Sequence, residues 1–149
     1  MFLAKDTFKT VIASTPLISI DLVINNDKGE FLLGKRINKP AKGYWFVPGG
    51  RVYKNETLEQ ALTRVSKVEL GACLELNCFN FQGVYQHFYQ ESVFESGIST
   101  HYVVLAYSAT VSKVVLNTDQ HEAYDWFSVD CILEKKDVNQ YTKDYFRGR

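Results

Sequence analysis

The chain has 149 residues, which suits one domain over residues 1–149 and leaves little room for two. Hydrophobic residues make up 46% and charged residues 23%, close to the average of folded domains, which excludes a disordered, collagen-like or coiled-coil chain. Lys and Arg number 17 and Asp and Glu also 17, so no net positive charge is available to displace the counterions of a nucleic acid, and only a local basic patch for a small phosphate ligand stays open.

The opening residues MFLAKDTFKTV scatter their charges and hold no apolar core, so a signal peptide is not expected. No apolar run approaches the ~20 residues of a membrane span, and a soluble, cytoplasmic protein is expected. Asp6 to Ser14 has a weak helical pattern with Phe8, Val11 and Ile12 on one side, and Pro16 stops it. Leu17 to Ile24 is a β-rich run carrying one acid, Asp21. Asn25-Asn26-Asp27-Lys28-Gly29 is a turn signal, so Glu30 to Arg36 reads as the returning strand of a hairpin. Ile37 to Gly43 is a polar loop. Tyr44 to Val47 is a short strand that Pro48-Gly49-Gly50 breaks.

Thr57 to Leu70 is the clearest helix. Thr57-Leu58-Glu59-Gln60 has capping-box spacing, Leu58, Ala61, Leu62, Val65 and Val68 form one apolar stripe, and Gly71 is a natural stop. Phe79 to Phe88 and His101 to Val111 read as long strands, Tyr124 to Val129 as another, and Asp130 to Arg149 as one or two short helices. Several strands around one strong helix, with helices at both ends, predict a mixed sheet packed between helices. Nine Tyr and ten Phe exceed what a core needs, so some rings are expected to line a ligand cleft. Cys73, Cys78 and Cys131 fit no disulfide or metal spacing and are expected as buried, reduced thiols.

Chemistry concentrates between Gly49 and Gly71. Gly49-Gly50 permits close backbone approaches and leads through a polar loop into the capped helix, whose start and exposed backbone groups suit a phosphate or a metal. Glu69 lies in the last turn, facing the negative end of the helix dipole and pointing toward the apolar side. A bound cation would relieve both penalties. An ion pair with Arg64 or another base would do so equally well, and the residues alone do not choose.

Gly50, Glu56, Arg64, Glu69 and Gly71 match the spacing of the Nudix box, and on them the chain resembles the Nudix hydrolases. A typical box has a glutamate directly after the arginine and two adjacent glutamates before the final glycine. Here those positions are Val65 and Val68, and Glu69 alone remains. A valine offers no oxygen to Mg²⁺, so the carboxylate cluster that drives attack on phosphorus should be missing. Leu33-Gly34-Lys35-Arg36, Gly43 to Val52, Gln86-His87-Phe88-Tyr89, Thr100 to Leu105, Gln120-His121-x-x-Tyr124 and Ser14-Thr15-Pro16-Leu17 are similar to the branch of that family that hydrolyses GDP-mannose.

The resemblance implies an α/β/α sandwich with a mixed β-sheet between helices. It implies Mg²⁺-dependent hydrolysis of GDP-mannose, with GDP-glucose as a second substrate, to GDP and free sugar. Water would attack the anomeric carbon with inversion. It further implies one Mg²⁺ per subunit, Mn²⁺ substituting, held by the Gly49 carbonyl, Glu69 and Gln120; His121 as general base; and Arg36 and Arg51 as cations on the departing diphosphate. Asp21, His87, Tyr102 and Tyr124 become sugar or phosphate contacts, Arg64 an orienting partner of Glu69, and a homodimer the expected assembly. The competing readings are cleavage of a nucleotide sugar at phosphorus and a GDP-sugar-binding module without catalysis.

Overall fold

The hairpin turn forms where the sequence places it. Asn26 organises it: its Oδ1 accepts the Lys28 and Glu30 N–H groups, both at 3.0 Å, and Gly29 takes a left-handed φ of +73°. The structure, a computed structural model, describes residues 2–71, 76–94, 97–111 and 121–148, with the side chains at 76, 121 and 122 excepted. Its elements are α1 (Lys5–Ser14), β1 (Leu17–Asn25), β2 (Phe31–Arg36), β3 (Trp45–Phe46), β4 (Gly49–Arg51), α2 (Leu58–Leu70), β5 (Asn80–Tyr89), β6 (Thr100–Thr110), β7 (His121–Phe127), α3 (Val129–Glu134) and α4 (Gln140–Asp144), with a 3₁₀ turn at Leu76–Cys78.

The main path of the sheet is β3-β2-β1-β6-β5, with β4 pairing β1 and β7 pairing β2. β1 and β6 run parallel and the other pairs antiparallel, so the sheet is mixed. The β1–β2 ladder is short, with Asn25 opposite Phe31; further along, β4 takes the edge of β1 at Ser19 to Asp21. Both faces of the sheet are covered. Ile20, Leu22, Ile24 and Leu32 pack on Ala61, Leu62, Val65 and Leu70 of α2. Val23, Phe31, Leu33, Val47 and Ala106 pack on Ile132, Val138, Tyr145 and Phe146 of the C-terminal segment. This is the expected sandwich, and its two-sided burial explains why β1 reads as a nearly unbroken apolar run.

The caps of α2 also form as expected. Thr57 Oγ1 accepts the Gln60 N–H at 3.1 Å, Gln60 Oε1 accepts the Thr57 N–H at 2.9 Å, and Gly71 ends the helix at φ +70°. The apolar stripe is narrower than expected: Leu58 is 43% and Val68 40% exposed, because α2 rests on β1 through Ala61, Leu62 and Val65. Two further expectations are corrected. β3 does end before Pro48, but Gly49 to Arg51 then forms a further strand, made possible by pairing with β1, which local sequence does not reveal. Cys78 and Cys131 are exposed thiols, the first at the end of the 3₁₀ turn and the second on the outer side of α3, while Cys73 lies outside the described residues. Among the described residues no helix is long and apolar enough to cross a membrane.

The C-terminal segment ties the layers together. The Trp45 N–H donates to the Asp137 carbonyl at 2.8 Å, and the Asn139 N–H to the Trp45 carbonyl at 3.0 Å. Ser128 caps α3 and Asn139 caps α4 through their side chains. The capping box makes a direct prediction. Thr57→Ala should lower unfolding free energy by about 1 kcal/mol in urea titration, and an unshifted midpoint would contradict the role given to the cap.

Candidate active site

Strand alternation builds the site. On β1, Asp21 shares a face with Val23, which packs toward the C-terminal helices, and opposite side chains go to α2. In the same register His87 of β5 pairs with Tyr102 of β6, and Tyr102 with Leu17. These strands, with β4 and the end of β2, surround a cleft of about 200 Å³. Asp21, Arg36, Gly49, Arg51, His87 and Tyr102 all line it, so the structure brings together six of the ten site residues singled out in the sequence; Phe8, Phe46 and Tyr89 complete its walls.

The floor is a hydrogen-bonded set. Tyr145 donates its hydroxyl to Asp21 Oδ2 at 2.5 Å, and the Tyr145 hydroxyl oxygen also lies 3.4 Å from His87 Nε2. The Tyr141 ring stacks on the His87 imidazole at 4.4 Å. Burial pushes the Asp21 carboxyl up to about 7, against the lowering effects of the Tyr145 hydrogen bond and the Arg36 charge, with the Glu69 carboxylate adding to the rise. Burial pushes His87 down to about 4, so its imidazole is neutral at neutral pH. Burial also raises Tyr89 and Tyr102, and with the Asp21 charge it raises Tyr145, so these phenols keep their protons.

Two guanidinium groups form the walls. Arg36 Nε donates to the carbonyls of Asn38 at 3.2 Å and Pro40 at 3.0 Å, and its head lies 5.6 Å from the Phe46 ring. The Arg51 head lies 5.3 Å from the Phe8 ring and 5.0 Å from the Tyr53 ring. Such anchoring presents planar, fork-shaped donors at the cleft.

β4 connects the cleft to α2. A Cβ on Gly49 would come within 2.5 Å of both Asp21 Oδ1 and the Ile20 carbonyl, and one on Gly50 within 3.1 Å of Val65 Cγ2. No side chain fits at 49. Arg64 does not pair with Glu69, which corrects the expected partnership. Its Nε and Nη2 meet Glu56 at 2.7 and 2.9 Å, Nη2 also donates to the Arg51 carbonyl at 2.7 Å, and the head covers the Tyr53 ring at 3.6 Å. Arg64 thereby holds the Glu56 carboxyl below its usual range. Glu56 in turn accepts the Tyr53 N–H at 2.9 Å, so the pair braces the loop leading out of β4.

Glu69 is 3% exposed and accepts from the Tyr124 hydroxyl at 3.5 Å; neither residue lines the cleft. Gln120 lies outside the described residues, as does the side chain of His121, whose backbone pairs with Arg36. A divalent cation fits the available donors. In the β1–β4 ladder, hydrogen bonds run from the Leu22 N–H to the Pro48 carbonyl and from the Val52 N–H to the Ile18 carbonyl, each 2.8 Å. By antiparallel alternation the Gly49 carbonyl then points away from β1, on an edge that no other described strand takes. That carbonyl and the Glu69 carboxylate are hard oxygen donors, as Mg²⁺ requires. Among the described residues no cluster of three or more His, Cys, Asp and Glu side chains could hold a metal.

Tyr141 and Tyr145 were not singled out in the sequence. They fall in the Asp130 to Arg149 stretch, expected only as one or two short helices, and the three-dimensional contact with Asp21 and His87 reveals them.

A family model for the NUDIX domain matches residues 15–147. The chain belongs to the Nudix family. Over 117 residues it is 44% identical to the low-salt glycan biosynthesis protein Agl8 of Haloferax volcanii, a match covering 78% of this chain and 73% of that protein. It is similar to the MutT protein of Methanosarcina mazei Go1, with a TM-score of 0.70 and 27% identity over 89% of this chain and 92% of that one. The MutT NUDIX hydrolase of Burkholderia pseudomallei gives a TM-score of 0.69 and 28% identity, covering 89% and 97%.

Because the folded pKa of Asp21 is raised, the folded Nudix chain keeps a proton that the unfolded chain releases between about 3.8 and about 7. The associated stability is full below that window and is lost as pH rises through it. His87, depressed to about 4, acts in the opposite sense, its contribution full above about 6.5 and lost as pH falls. Comparing Asp21→Asn with the wild type isolates the first effect. In metal-free buffer the variant should gain thermal stability relative to the wild type between pH 5 and pH 8, and a pH-independent difference would contradict the burial of this carboxyl.

Proposed function

We propose that this Nudix hydrolase, acting as one domain over residues 1–149, cleaves GDP-mannose, and GDP-glucose with it, to GDP and free sugar by attack of water at the anomeric carbon with inversion. One observation carries the reading. The cleft sets two guanidinium groups around a carboxyl–imidazole floor, while the positions that would add carboxylates to α2 are Val65, packed on Gly50, and Val68, turned to solvent. Such a site is suited to accepting a diphosphate leaving group and poorly equipped to activate water against phosphorus. The similarity to the Haloferax relative, a low-salt glycan biosynthesis protein, supports a sugar-linked substrate.

Arg36 and Arg51 neutralise the departing diphosphate from two sides, which lowers the barrier more than protonation would, because GDP is already a weakly basic leaving group. The Gly49 carbonyl, Glu69 and Gln120 would hold Mg²⁺, or Mn²⁺ in its place, with the Tyr124 hydroxyl orienting Glu69. When bound, the cation supplies further charge neutralisation at the diphosphate. His121, placed by its backbone pairing opposite Arg36, takes the proton of the attacking water at its imidazole. Asp21 and His87 hold sugar hydroxyls at the floor, and Tyr102, its phenol protonated, donates to phosphate or sugar. The working assembly is a homodimer.

Turnover of GDP-mannose with Mg²⁺ in oxygen-labelled water tests this. The label is expected in mannose, with GDP unlabelled. Label in a phosphate product would contradict attack at carbon, and tight binding with no release of GDP would contradict catalysis.

A further inference from the structure

Asp21 and His87 face one cleft but come from strands far apart in sequence. What joins them is the C-terminal segment. Tyr141 and Tyr145 lie one turn apart and both reach His87, the first by stacking on its ring at 4.4 Å and the second with its hydroxyl at 3.4 Å from Nε2. Tyr145 is 5% exposed, and its ring packs edge-on against Tyr85 at 4.7 Å, so the hydroxyl has a fixed origin. Tyr141 is itself anchored, donating its hydroxyl to the Phe88 carbonyl at 3.0 Å and accepting the Phe88 N–H at 3.1 Å.

A phenol has one proton to give. The Tyr145 hydroxyl donates to Asp21 Oδ2 at 2.5 Å, so toward His87 the same oxygen acts as an acceptor. We infer that Tyr145 is a positioning residue: its hydroxyl holds the Asp21 carboxylate and keeps the His87 proton on Nε2, so that Asp21 Oδ1 and His87 Nδ1 form a fixed pair of acceptors for the hydroxyls of the bound sugar. The inference rests on the proposed sugar-nucleotide substrate for its ligand, and on geometry alone for the tautomer. A site that fixes acceptors in advance discriminates between sugars, because a hydroxyl in the wrong configuration leaves a buried acceptor unpaired.

Nitrogen-15 spectra of the full-length chain at pH 8 read the tautomer directly, with the His87 signals assigned by their loss in His87→Gln. The wild type is expected to carry its His87 proton on Nε2. Tyr145→Phe, which keeps the ring packing, is expected to redistribute that proton between the two nitrogens. In kinetics the same variant is expected to raise KM for GDP-mannose about tenfold while GDP alone binds within about twofold of wild type. A wild-type proton on Nδ1, an unchanged tautomer in Tyr145→Phe, an unchanged KM, or an equal loss of GDP affinity would each overturn the role. If GDP-mannose is not hydrolysed at all, the functional reading fails while the tautomer still decides whether Tyr145 positions His87.

Discussion

The contact on which the site depends is the close approach of β4 to β1. A side chain at Gly49 would strike Asp21 Oδ1 and the Ile20 carbonyl at 2.5 Å, so the strand reaches this position only because residue 49 has no Cβ. Three consequences follow from one missing atom. Gly50 is pressed onto Val65, which fixes α2 against the sheet. Arg51 emerges opposite Ser19 and is aimed into the cleft. The Gly49 carbonyl is turned to the outer edge of β4, where it can serve a cation. The Arg64–Glu56 pair then braces the exit of the same strand through the Arg51 carbonyl and the Tyr53 N–H.

Local chemistry was readable wherever it acts within a few residues. The Asn26 turn, the capping box at Thr57 and the left-handed Gly71 are each short-range devices, and each forms. β1 and β2 followed from their composition because both of their faces are buried. Pairing was less readable. Gly49-Gly50 signals a break when read alone and becomes a strand only when β1 lies beside it. Arg64 sits one turn from Glu69 on the helix, yet its long side chain reaches back to Glu56, where two hydrogen bonds and a ring outweigh sequence proximity.

The site shows the same division. Its arginines, Asp21, His87 and Gly49 could be selected because they stand in a recognisable family pattern, and they surround one cleft. Tyr145 could not: the hydrogen bond that matters joins it to Asp21, 124 positions away, and a tyrosine near a chain terminus carries no signal of such a contact. Burial then does chemical work that composition cannot report, moving the Asp21 carboxyl up and the His87 imidazole down until both lie far from their ordinary values. An acidic group and a basic group displaced in opposite directions within one cleft is the arrangement expected of a binding floor rather than of a solvated surface.

On the proposed function, the two arginine walls cradle a diphosphate over the Asp21–His87 floor. A crystal structure of the chain with GDP and Mg²⁺ tests it most directly. The diphosphate should lie between Arg36 and Arg51, with the cation against the Gly49 carbonyl and Glu69. A diphosphate seated away from both arginines, or a cation that touches neither Gly49 nor Glu69, would contradict it.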